Sequence, residues 1–89
     1  MTEQQQTVLE FPCKFPIKVM GPATDAFEFA VIGIFRRHVP DLTEAAVKRR
    51  ESSANKYASL TVTITATDKA QLDAIYQELN DHELVLMTL

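Results

Sequence analysis

The sequence predicts one α+β domain: a four-stranded antiparallel sheet with two helices on one face. Three observations lead there. Residues 57–66 alternate apolar and polar side chains with period two, as Leu60, Val62, Ile64 and Ala66 against Ser59, Thr61, Thr63 and Thr65, the pattern of a strand buried on one side. Two further segments repeat apolar residues at helical spacing between strand patterns, giving the order strand, helix, strand, strand, helix, strand. And 89 residues, 46% hydrophobic and 24% charged, supply one core and no second.

Residues 1–7 are polar, with three consecutive Gln, and read as a flexible tail ahead of a domain over 8–89. Phe15, Ile17 and Val19 fall on one side of an extended chain, with Lys18 and Met20 on the other, and Gly21-Pro22 is expected to end this first strand. Thr24 or Asp25 caps a helix running to His38, where Val39-Pro40 stops it. Its stripe is Phe27, Ala30, Val31, Ile34, Phe35 and His38, while Phe29 and Ile32 lie off the stripe as satellite core or as a partner contact.

Ala45 to Glu51 is the second strand candidate, and Ser52-Ser53-Ala54-Asn55 a polar turn. Tyr57 to Ala66 is the third strand. Asp68 with Gln71 three positions on makes a capping-box start for a helix carrying Leu72, Ile75, Tyr76 and Leu79 and ending near Asn80 or Asp81. Leu84 to Leu89 closes the chain as an apolar strand. Right-handed crossovers in each half bring both helices to one face, the ferredoxin-like βαββαβ arrangement, with the first and third strands central and the second and fourth at the edges.

Charge and composition bound the function. Nine basic and twelve acidic residues give a net charge of −3, which argues against phosphate binding as the dominant task. A single cysteine excludes an internal disulfide framework and a cysteine zinc site. No apolar run reaches a membrane span, and the first residues lack a signal-peptide pattern, so a cytoplasmic protein is expected.

With Leu60, Val62 and Ile64 facing the helices, the opposite face presents Thr61, Thr63 and Thr65. In phase with them stand Lys18 and Met20 from the first strand and Lys48 and Arg50 from the second. This polar, mildly basic face could receive an anionic small molecule or a partner's carboxylates, although Thr, Lys and Arg also suit any solvated sheet face. The edges differ. Lys48-Arg49-Arg50 guards the second strand against unwanted pairing. Leu84, Val85, Leu86, Met87 and Leu89 leave the fourth strand apolar on both faces, to be covered by Val8, Leu9 and Phe11 or by another chain as a homodimer or hetero-complex.

Catalytic chemistry finds little footing. Cys13 beside Lys14 lacks a base and an oxyanion site, and His38 and His82 have no partner at ligand spacing. There is no nucleophile elbow, phosphate-binding glycine loop or His-Glu-x-x-His pair, so neither enzyme activity nor a metal or other cofactor is expected. RNA-recognition domains of this topology stack bases on aromatics of the central strands. Here Tyr57 is followed by Ser, Leu and Thr, and nucleic acid is disfavoured. Thr67-Asp68-Lys69-Ala70 looks like the acceptor segment of lipoyl domains, but the apolar helical spacing that begins at once puts Lys69 in the first turn of a helix.

Phe11-Pro12-Cys13-Lys14-Phe15-Pro16-Ile17-Lys18-Val19-Met20-Gly21 resembles the opening of the YbeD-like family of small bacterial proteins. The likeness continues through Ser52-Ser53, Lys56-Tyr57, Ser59-Leu60-Thr61-Val62, Gln71, Tyr76, Leu79 and Val85-Leu86-Met87-Thr88-Leu89. It implies a ferredoxin-like domain similar to the ACT-type regulatory domains that bind amino acids. It also implies the lipoic-acid-binding regulatory role with which the family is often labelled. ACT domains bind near the glycine-bearing turn after the first strand, at a subunit interface. Met20-Gly21-Pro22 stands there, without the usual acidic residue.

The functional expectation is a small regulatory module, dimeric, that binds a metabolite such as lipoate or another small anion, or a metabolic partner protein. Its ligand face is Lys18, Met20, Gly21, Lys48, Arg50, Thr61, Thr63 and Thr65. The alternative is a protein-interaction adaptor without a small ligand, using Leu84 and Leu86 at the sheet edge together with Phe29 and Ile32.

Overall fold

The computed structural model describes residues 10–52, 54 and 56–89. The tail over 1–7, Val8 and Leu9, and Ser53 and Asn55 of the expected turn lie outside the described residues. The elements are β1 (Cys13–Pro22), α1 (Asp25–His38), β2 (Val47–Glu51), β3 (Tyr57–Ala66), α2 (Lys69–Asp81) and β4 (Met87–Thr88), with a 3₁₀ turn at Glu44–Ala46. The strands form one antiparallel sheet in the order β2-β3-β1-β4, the ferredoxin-like arrangement with β1 and β3 in the centre.

Alternation along β1 and β3 builds the sheet's half of the core. Ile17, Val19, Leu60, Val62, Ile64 and Ala66 are buried against Phe27, Val31, Ile34 and Phe35 of α1 and Leu72, Ile75 and Leu79 of α2. Both helices start on side-chain caps. Thr24 Oγ1 accepts from Phe27 N at 3.1 Å and Asp68 Oδ1 from Gln71 N at 2.8 Å, each satisfying an amide that the first turn leaves without a helical partner. The Gln71 side chain reaches back one residue further than a capping box requires, accepting from Thr67 N at 2.8 Å. At the far end of α1, Glu78 of α2 accepts from Arg37 at 2.6 Å and from His38 Nε2 at 2.5 Å, clamping the helices together.

Three boundaries depart from the sequence reading. β1 ends at Gly21-Pro22 as expected, but with both residues inside the strand, Gly21 paired opposite Ala58 and Pro22 opposite Tyr57. Pro is tolerated because the even-numbered amides of β1 point towards β4, as the Lys18 amide does in donating to Leu89 O. At Pro16 and Pro22 that side lies beyond the ladder residues of β4, so no ladder bond is lost. Second, Glu44 to Ala46 form a 3₁₀ turn with Ala46 N donating to Thr43 O. Ala45 has too little side chain to gain from a strand's burial and stays exposed. Third, β4 is shorter than Leu84–Leu89 because His82 captures the preceding amides: Leu84 N donates to its Nδ1 and Val85 N to its carbonyl.

Among the described residues no helix is long and apolar enough to cross a membrane, and no group of three or more His, Cys, Asp or Glu could hold a metal ion.

Candidate functional site

The register builds the sheet face away from the helices row by row. Lys48 and Lys18 flank Thr61 from opposite sides, with Leu89 beyond Lys18 on a reciprocal pair of backbone hydrogen bonds. The next row is Arg50, Ser59, Met20 and Met87. Tyr57 lies opposite Pro22, Thr63 opposite Pro16 and Thr65 opposite Lys14. The structure therefore brings Lys18, Met20, Lys48, Arg50, Thr61, Thr63 and Thr65 onto one face.

It adds Lys14, which the sequence reading missed by starting the strand at Phe15. The signal was present, since residues 14, 16, 18 and 20 keep one phase. Gly21 does not belong to this face. It points to the helices and is buried, and a Cβ there would run into the Phe27 ring and come within 2.5 Å of the Leu84 carbonyl oxygen. Its role is to let α1 and the segment before β4 close over the strand.

The electrostatics of the two faces differ. Arg49, one residue out of phase with Lys48 and Arg50, turns to the helix side and donates to Glu28 at 2.5 Å and Glu51 at 2.7 Å. Its hydrogen bond to Glu28 is the largest reason that its pKa is raised above the ordinary value. Lys14, Lys18, Lys48 and Arg50 have no ion-pair partner among the described residues, and no Asp or Glu stands in phase with them on β1, β2 or β3. In a chain of net charge −3, four cations are thus gathered on one surface, bordered at the Lys14 end by Asp41, which lines a cavity with Lys14, Thr63 and Thr65.

The face is also divided lengthwise. Its β2 side is basic, with Lys48 and Arg50, β1 carries Lys14 and Lys18 together with Met20, and the β4 margin is apolar, with Met87 and Leu89. Met87 and Leu89 are 52% and 64% exposed. Tyr57, half exposed, is the one aromatic side chain on this face among the described residues.

The expected partner edge separates into two places. Leu84 packs against the core, whereas Leu86 is 62% exposed beside β4. Phe29, 83% exposed, and the half-buried Ile32 instead line a groove with Leu42, Val47 and Arg49 near β2, at the opposite edge of the sheet. The six apolar and polar positions of the helix stripe left Phe29 outside because it faces this groove. Cys13 is half-buried against the core. Lys69 lies in the first turn of α2 and pairs with Asp73 at 2.9 Å, so its segment is helical and not the hairpin of a lipoyl acceptor.

Comparison with known proteins places these features in a family. The chain is 46% identical over 89 residues to a UPF0250 protein of Chromobacterium violaceum, covering all of both chains. It is 43% identical to UPF0250 protein NE1487 of Nitrosomonas europaea, again over the full length of both. Among solved structures, protein HP0495 from H. pylori superposes with a TM-score of 0.74 at 16% identity, covering 98% of this chain and 91% of that one. The uncharacterized protein TM1266 from Thermotoga maritima gives 0.64 at 12% identity, covering 85% and 92%. At these identities the two structures speak for the fold alone. Residues 6–89 match the family described as "Protein of unknown function (DUF493)", and with full-length relatives above 40% identity the chain belongs to that family of UPF0250, YbeD-like bacterial proteins.

Proposed function

We propose that the protein is a non-enzymatic regulatory module whose open sheet face receives an anionic ligand, either carboxylates of a metabolic partner protein or a small anionic metabolite such as lipoate. One observation carries this reading: Lys14, Lys18, Lys48 and Arg50 share a face that holds no carboxylate on β1, β2 or β3, in a chain that is acidic as a whole. Gathering like charges costs stability unless something negative is met there. The Thr61 hydroxyl between Lys18 and Lys48, with those of Thr63 and Thr65 further along β3, adds uncharged donors for carboxylate oxygens. Isothermal titration with lipoate, citrate and glutamate, on the wild type and on Lys18→Glu with Arg50→Glu, tests it. Saturable binding lost in the double variant, with an unchanged circular dichroism spectrum, is the expected result, and unchanged affinity removes this face from consideration.

A second reading is an adaptor that uses the β4 edge, favoured by the exposure of Leu86 and Leu89. It predicts a dimer or larger assembly by analytical ultracentrifugation that Leu86→Lys dissociates. An identical molar mass in that variant counts against it.

A further inference from the structure

We infer that the occupant of the open face is an acidic amphipathic helix of another protein, lying along the strands with its carboxylates over the cations of β2 and β1 and its apolar stripe over Met20, Met87 and Leu89. This rests on the reading of that face as an anion site and names the partner class.

The first argument is size. Lys14 and Lys18 are four residues apart on β1, about 13 Å, and Lys18 and Lys48 lie two strand spacings apart, about 10 Å. One small carboxylate spans only a few ångströms and engages one or two of these cations. A ligand that meets all four carries several negative charges spread over a comparable length.

The second argument is composition. A polyphosphate chain would use the cations but would leave Met20, Met87 and Leu89 facing it, and the apolar column is as much part of the face as the basic one. Carboxylates and apolar groups side by side are what an amphipathic polypeptide offers.

The third is spacing. Lys48 and Arg50 stand about 7 Å apart along β2, and acidic residues at i and i+4 of a helix are separated by about 6 Å along its axis. A helix laid on the sheet also completes a second covering layer, the usual way an open sheet face is buried. An added strand would pair at an edge and leave the face unused. A second copy of this chain, docking its helix layer on the basic sheet, would make a heterologous contact that repeats without closing, and its helix-layer carboxylates Glu28 and Glu78 are already paired with Arg49 and Arg37, so the partner is a different protein.

The test is selection of a displayed random 16-residue peptide library on the immobilised full chain, in parallel with Lys48→Glu/Arg50→Glu and with Met87→Glu. Expected are peptides enriched on the wild type alone, with Asp or Glu recurring at i, i+4 beside a Leu, Ile or Phe stripe. A synthesised winner should lose about tenfold in affinity in either variant. Conservative Lys48→Thr/Arg50→Thr, which keeps the strand's character, should weaken it less than charge reversal does. Peptides without acidic residues, enrichment that persists in both variants, or competition by a uridine oligonucleotide at the same amide resonances overturns the inference. If lipoate or citrate binds this face while no peptide is enriched, the anion-site reading stands and the helix falls. If neither binds, both fall.

Discussion

Lys18 and Lys48 face the same residue, Thr61, from the two neighbouring strands, so two ammonium groups with no ion-pair partner among the described residues share one cross-strand row. Their repulsion is part of the native state's cost, which the proposed binding role of this face requires. Lys48→Thr should therefore leave the unfolding free energy within about 0.5 kcal/mol of wild type, or slightly above it. Urea denaturation measures this. A loss of more than ~1 kcal/mol would mean that Lys48 makes a stabilising contact and is not held in reserve for a ligand.

Gly21→Ala should be costly for a reason unrelated to backbone conformation. The added methyl group meets the Phe27 ring, itself fully buried, and the Leu84 carbonyl, which is backbone and yields little. Overpacking of this kind costs about 1–3 kcal/mol. The lower urea midpoint should come with shifted amide resonances at both Phe27 and Leu84. A neutral effect would show that the segment before β4 moves freely.

Acid should loosen the clamp between the helices. Hydrogen bonds first from Arg37 and then from His38 hold the Glu78 carboxyl below the usual carboxylate range. A carboxyl with a depressed folded pKa contributes stability above its unfolded value, about 4.3, and loses it as the pH falls through the lower folded value. Glu78→Gln should thus be less stable than wild type at neutral pH and approach it in acid, as urea midpoints between pH 7 and pH 3 would record. The side chain is more than a third exposed, so the difference should be small and should shrink in salt. Parallel curves would assign the clamp no energetic weight.

Two phenylalanines on α1 separate packing from surface. Phe27 is fully buried and Phe29 is 83% exposed two residues later. Phe27→Ala should cost about 3–5 kcal/mol, while Phe29→Ser should stay within about 0.5 kcal/mol. Thermal unfolding distinguishes them, and a large loss at Phe29 would reveal that its groove is closed in solution.

The central layer was legible in the sequence because its period is strict. Leu60, Val62 and Ile64 against Thr61, Thr63 and Thr65 define both the buried and the open face, and Lys18, Met20, Lys48 and Arg50 follow once the strands are paired in that phase. The caps at Thr24 and Asp68 were legible for the same local reason. Gly21-Pro22 was placed outside the strand because a terminator is recognised by its missing amide partner, and that absence is harmless where the neighbouring ladder has ended. The grouping of Leu86 with Phe29 failed on topology. Both are apolar and unburied, and the topology already put β2 and β4 at the two edges, but the linear pattern does not say that Phe29 of α1 faces the β2 edge. Lys14 was lost to a boundary placed two residues late.

β2 adds a consequence for how the basic face behaves in time. Only Val47 of its five residues is even half-buried, so the strand is held by its ladder to β3 and by the Arg49 ion pair to Glu28 of α1. A segment with so little apolar anchorage opens at lower free energy than β1 or β3, whose amides should exchange with solvent hydrogen far more slowly. Lys48 and Arg50 ride on that segment. Half of the positive charge on the face is therefore carried by a strand more labile than the two central ones, and an occupant that engages those two residues would also fasten β2 down, slowing its exchange without touching the core.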